Sequence, residues 1–362
     1  MSDALFALIY SAALTEDATF PTDEKKRWLA KKDDADLKLM AESKIEVRRL
    51  GQREVTALIV FEKRAIFCIS GYERPEDTPA GLTEIAATPG LFATFVTEAN
   101  ISSVATAAQA RDILEFQHKE IDGYEGHDLD EIARLFPKLL FWEVQAPGSN
   151  QFATDIFRIS GSFVIRSYGR YPLEMSQSTK SKIIDIFENG PEFLPFPLLL
   201  QGILSYSWHS IFLDFYRCIE QLYSAPRLKE LSERFEFGCT LSEVAEAFES
   251  FLAWRPKEEE ALALLLKEAS QPVLDALIEA IFEQAGDKPD ATPAKCASQI
   301  YRLRNSHVHF RPAMRPRDRT SDNWDSVISA MCDALTEIYD RYGADFLVKK
   351  QKSSGVSLGV AV

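Results

Sequence analysis

The chain has 362 residues, 46% apolar and 27% charged, a globular composition in a length that exceeds one small core. Its formal net charge of −14 argues against a surface that coats nucleic acid non-specifically, while leaving room for one local cationic patch. Five cysteines (Cys68, Cys218, Cys239, Cys296, Cys332) are odd in number and lack CxxC spacing, so buried free thiols in a reducing cytoplasm are expected. In chain order, Ala4 to Leu14 is apolar but has no basic region before it, a poor signal peptide. Ile45, Val47 and the run Val55 to Phe61 read as strands around a turn at Gly51, with Ala65 to Ser70 and Leu139 to Val144 as further strands. Ser103 to Phe116 and His127 to Phe136 carry helical patterns. Ile156 to Ile159 and Phe163 to Ile165 predict a hairpin turning at Ser160-Gly161-Ser162. A helix over Lys180 to Glu188 stops at Asn189-Gly190. Residues 1–190 therefore read as an α+β domain.

Pro191, Pro195 and Pro197 then punctuate a connector, and residues 199–345 read as an all-α helical bundle of about five to seven helices. The apolar run Leu194 to Leu204 is broken by two prolines and Gln201, far short of the roughly 20 residues that span a bilayer, so a cytoplasmic protein with no membrane partner is expected. Leu204, Trp208, Ile211, Phe212, Phe215, Ile219 and Leu222 form one helical stripe. Thr240 with Glu243 makes a capping box, and Pro256 and Pro272 separate the helices that follow. Thr292-Pro293 opens the helix carrying Ile300 and Tyr301. A last helix runs from Trp324 to Tyr342 and stops at Gly343, leaving residues 346–362 as a flexible tail.

The densest cationic stretch is Tyr301-Arg302-Leu303-Arg304-Asn305-Ser306-His307-Val308-His309-Phe310-Arg311-Pro312, with Arg315, Arg317 and Arg319 beyond it. Guanidinium forks suit phosphate, and imidazole suits proton transfer near neutral pH. Together they suffice for metal-free RNA cleavage: a histidine moves a proton at the 2′-hydroxyl or the leaving oxygen while an arginine stabilises the phosphorane. The plainer use of such a segment is a solvated or carboxylate-paired arginine run, in a chain with a surplus of carboxylates.

Arg304, Asn305, three spacers and His309 resemble the motif of the HEPN (higher eukaryotes and prokaryotes nucleotide-binding) superfamily. The wording is most similar to bacterial stand-alone HEPN proteins of the anti-phage, ApeA-like type, over roughly residues 199–345. The resemblance implies a metal-independent endoribonuclease that leaves a 2′,3′-cyclic phosphate and acts as an anti-phage or toxin-like defence effector. It implies Arg304, His309 and Asn305 as catalytic residues, with Glu220 on an earlier helix supporting the arginine. Arg302, His307, Arg311 and Arg315 are the RNA-binding candidates; no metal and no cofactor are expected. It further implies a homodimer or higher homo-oligomer with two motifs facing each other, RNA as substrate, and a phage-derived or cellular trigger read by the N-terminal domain. The alternative is a noncatalytic HEPN scaffold that binds a partner, nucleotide or RNA. At about 100° per residue, Arg304 and His309 would stand about 140° apart on an unbroken helix, so a kink near Ser306 or a composite dimer site is expected.

Elsewhere, Asp122, Glu125, His127, Asp128 and Asp130 read as an acidic loop and helix start rather than a cation site. His118 reads as a surface residue and His209, beside Trp208, as a packed core histidine.

Overall fold

The computed structural model describes residues 1–21, 27–30, 33–116, 124–145, 152, 155–168, 173–205, 207–282, 290–309 and 319–348. Two compact units divide at Ser167 and Tyr168.

The first unit, residues 1–167, contains α1 (Ser2–Glu16), α2 (Asp34–Glu42), β1 (Lys44–Arg49), β2 (Val55–Phe61), β3 (Arg64–Ser70), β4 (Leu82–Ile85), α3 (Pro89–Glu98) and α4 (Ala107–Arg111). A π-helical turn over Asp112–Phe116 follows, then α5 (Leu129–Ala133), β5 (Leu139–Val144) and α6 (Ile156–Arg166). The sheet is antiparallel with strand order β1-β2-β3-β5-β4. Alternation along β2 sends Val55, Ala57, Ile59 and Phe61 into one core with Leu5 and Ile9 of α1 and Phe92 and Phe95 of α3. The apolar segment at the chain start is thus the buried helix α1. The expected strands match β1, β2, β3 and β5, whereas β4 is an addition with one buried residue, Leu82.

The expected hairpin over residues 156–165 is instead α6. Asp155 caps it by accepting from the N–H groups of Phe157 and Arg158. Its apolar positions follow a helical repeat: Phe163 packs on Phe67 and Trp142 of the sheet at ring distances of 5.0 and 4.4 Å. Ser160, Gly161 and Ser162, expected as the turn, are all buried in this helix, and Ser160 Oγ hydrogen-bonds Thr56 Oγ1 of β2 at 2.9 Å.

The second unit carries, among the described residues, nine helices: α7 (Gln177–Asn189), α8 (Phe196–Ile203), α9 (Trp208–Glu220), α10 (Ala225–Ser232), α11 (Leu241–Leu252), α12 (Glu258–Leu266), α13 (Gln271–Ile281), α14 (Pro293–Val308) and α15 (Ser321–Leu347). The expected boundary near residue 190 falls inside this unit. Helix α7 packs on α15, its Thr179 and Ser176 bonding Asp325 and its Lys182 pairing with Asp333 at 2.6 Å. Nor are Pro195 and Pro197 a connector; they open α8, where a missing N–H costs nothing. Helix α15 runs through Gly343 to Leu347 rather than stopping there. A Cβ on Gly343 would lie 3.3 Å from Phe193 Cβ, so the glycine serves a close approach and not a stop. Phe346 is accordingly buried within α15, so the flexible tail expected from residue 346 does not begin there; residues 349–362 lie outside the described residues. Four of the five cysteines are buried free thiols, and Cys239 is half-buried. Among the described residues no helix is long and apolar enough to cross a membrane.

Candidate functional site

Helix α14 forms because Thr292 caps it, accepting from the Lys295 N–H, and Pro293 supplies a pre-set first turn. It buries Cys296, Ala297, Ile300 and Leu303, which leaves Arg304 and His307 half-buried at its flank. The helix is continuous through Val308, so the kink expected near Ser306 is absent; Ser306 Oγ simply returns a bond to the Leu303 carbonyl at 2.7 Å. His309 is the C-cap. It leaves the helix at φ −108 and ψ 110, its N–H still bonded to the Asn305 carbonyl at 3.0 Å, and its side chain is exposed.

Arg304 is 18% exposed and stands among partners from two other helices. Its Nη2 lies 3.5 Å from Glu220 Oε1 at the end of α9, and its Nη1 lies 3.7 Å from Glu258 Oε2 in the first turn of α12. Nη1 also donates to Asn305 Oδ1 at 2.9 Å, and the guanidinium sits 5.7 Å from the centre of the Tyr216 ring. Tyr223 donates from its hydroxyl to that of Tyr216 at 2.6 Å.

One positive charge thus faces two carboxylates in a partly dry pocket. Burial pushes the Glu220 carboxyl above its usual range; Arg304 opposes this, and the neighbouring Glu258 adds to it. Glu258 Oε2 is buried without a hydrogen bond, its compensation being the Arg304 charge at 3.7 Å. Burial also raises the Tyr216 and Tyr223 phenols, so both are neutral donors and acceptors at physiological pH.

His307 occupies a different environment. Its ring stacks on His209 of α9 at 5.0 Å with only 7° between planes, and Trp324 of α15 lies 5.3 Å away. Burial, then the His209 and Arg319 charges, pull its pKa down to about 4. His307 is therefore neutral at pH 7 and carries no charge there. His209, expected as a packed core residue, is exposed and forms the outer layer of this stack.

Of the candidate residues, the fold brings Arg304, Asn305 and Glu220 together and sets His309 at the exposed helix end. Arg302 is exposed on α14. Arg311 and Arg315 lie outside the described residues, as do Arg317, His118 and Asp122. Three residues at the site were not anticipated from the sequence: Glu258, Tyr216 and His209. Glu258 has a signal in hindsight, since an acidic run at a helix start marks a first turn whose carboxylates are free to pair outward. Asp128 takes the N-cap position of α5, with Asp130 and Glu131 in its first turn, while His127 is buried against Phe6.

No protein-family model, curated protein or solved structure matches this chain.

Proposed function

We propose that the second unit is a metal-independent endoribonuclease of HEPN type, acting as an anti-phage or toxin-like defence effector. The observation that carries this reading is the anchored Arg304, held by Glu220 and Asn305 on the same helix that ends in an exposed His309. In the reaction, the 2′-oxygen of RNA attacks the adjacent phosphorus and the bond to the 5′-oxygen breaks, giving a 2′,3′-cyclic phosphate and a 5′-hydroxyl. His309 moves a proton at the attacking or the leaving oxygen, and Arg304 offsets the charge that builds on the phosphorane. Two copies of the chain, each with one such motif, would supply a proton acceptor and a proton donor together.

The test is cleavage of total RNA and tRNA by purified protein in chelator, with end-group analysis of the products. His309→Ala is expected to lose about 10²–10⁴-fold in single-turnover rate, the usual reach of general acid–base catalysis. His307→Ala is expected to lose clearly less. Cleavage that requires added Mg²⁺, or a fully active His309→Ala protein, refutes the reading.

A noncatalytic scaffold is the second reading. It draws on the enclosure of Arg304 by two carboxylates, which leaves the guanidinium little charge to offer a substrate. It predicts RNA binding without cleavage.

A further inference from the structure

In the first unit, a cavity of about 600 Å³ opens beside α1, the turn between β1 and β2, and the segment that follows α3. That volume lies within the range of small-molecule sites, about 300–1,000 Å³, and is far larger than a phosphate ion needs. Leu8, Ile101 and Val104 give it an apolar lining, and Arg49, Gln52 and Arg53 give it a polar, cationic one. No carboxylate lines it among the described residues, although the chain carries 55 aspartates and glutamates.

The two guanidiniums are in different states. Arg49 Nη2 donates to the Ala99 and Asn100 carbonyls at 2.9 and 3.1 Å, answering the otherwise unpaired C-terminal end of α3. Those bonds fix the head of Arg49 while leaving its Nε and Nη1 without a partner among the described residues. The Arg53 side chain makes no hydrogen bond or ion pair among the described residues. Its neighbour Glu54 is engaged by accepting from the Arg53 backbone N–H at 3.1 Å. Two guanidiniums without an ion pair among the described residues, at a concave site lined by no carboxylate, suit an anion. Planar forks match phosphoryl oxygens, and the apolar lining matches a flat organic group.

We propose that this cavity binds a nucleotide-sized organic phosphate, its phosphoryl end on Arg49 and Arg53 and its base against Leu8, Ile101 and Val104. The site is independent of the nuclease reading, because it lies wholly within the first unit.

The experiment is isothermal titration of the full-length protein with ADP, GDP and UDP, with adenosine, inorganic phosphate and octanoate as separate arms. At least one nucleotide is expected to bind, and adenosine, phosphate and octanoate each to bind at least about tenfold more weakly, because each lacks one half of the recognition. Arg53→Ala is expected to weaken the nucleotide by at least about tenfold, the loss of a charge-assisted hydrogen bond. Ala12→Trp, which fills the cavity from α1, is expected to abolish binding, and Arg304→Ala to leave it unchanged. The proposal is overturned if no nucleotide binds at millimolar concentration, if octanoate binds better, or if Arg53→Ala binds like wild type. Loss of binding in Arg304→Ala but not in Arg53→Ala would assign the nucleotide to the second unit and equally overturn it.

Discussion

His307 should make the second unit sensitive to mild acid. Its imidazole stacks on His209 and lies tilted against Trp324, and burial, His209 and Arg319 lower its pKa from 6.5 to about 4. In the unfolded chain the same group takes up a proton near 6.5, so between pH 6.5 and 4 the unfolded state binds more protons than the folded one. Stability is therefore complete above about pH 6.5 and falls as the pH drops towards 4. At about 1.36 kcal/mol per tenfold change in proton affinity, the full effect is roughly 3 kcal/mol. His307 is only partly buried, and solvent screening brings this to about 1.5 kcal/mol, of which about 1 kcal/mol is felt at pH 5.

Two measurements check this. Histidine ring resonances, assigned by comparison with His307→Gln, should show one imidazole that titrates clearly below the ordinary histidine range. Urea unfolding at pH 7 and pH 5 should show wild type losing about 1 kcal/mol more than His307→Gln, the background from carboxylates cancelling in the difference. A His307 resonance that titrates near 6.5, or equal losses in the two proteins, refutes the reasoning. The result bears on function too, because an imidazole with so low a proton affinity is a weak base at neutral pH.

Three further outcomes are expected. Glu220→Gln should change unfolding free energy by less than about 1 kcal/mol, since burial already disfavours that carboxylate, whereas Arg304→Ala should cost about 2 kcal/mol by leaving Glu220 and Glu258 facing each other. Equal costs by urea unfolding would contradict this. Ser160→Ala should cost about 1–3 kcal/mol because the Thr56 hydroxyl is left unpaired inside the first unit, and adding Thr56→Val should recover most of it; a single variant without cost would show that the hydroxyl pair contributes nothing. Light scattering at micromolar concentration should give at least a dimer, and a strictly monomeric protein that cleaves RNA at full rate would count against the paired-motif site.

Elements with a clean local period were legible before any coordinates. The apolar run Val55 to Phe61, the capping box at Thr240, and the Thr292-Pro293 start each signal their element within a few residues. The helix that Thr292-Pro293 opens carries Arg304 and Asn305 near its C-terminal end and has His309 as its C-cap. What failed were segments whose local signal competes with tertiary packing. Ser160-Gly161-Ser162 has turn chemistry, but Asp155 caps a helix there, and Phe163 gains more by burial on Phe67 and Trp142 than a turn would offer. Gly343 reads as a stop, yet α15 continues because the missing side chain lets Phe193 approach.

The site shows the same division. The sequence determined which residue types lie close along α14. Only the folded bundle decided that Arg304 meets Glu258, which precedes it by 46 positions, and that His307 stacks on His209. Local spacing fixes angular positions on one helix, while the partners across a helix interface depend on how whole apolar faces pack. Those faces, such as Trp208, Ile211, Phe212 and Phe215 on α9 against α15, are set by burial summed over the bundle and not by any one stretch of chain.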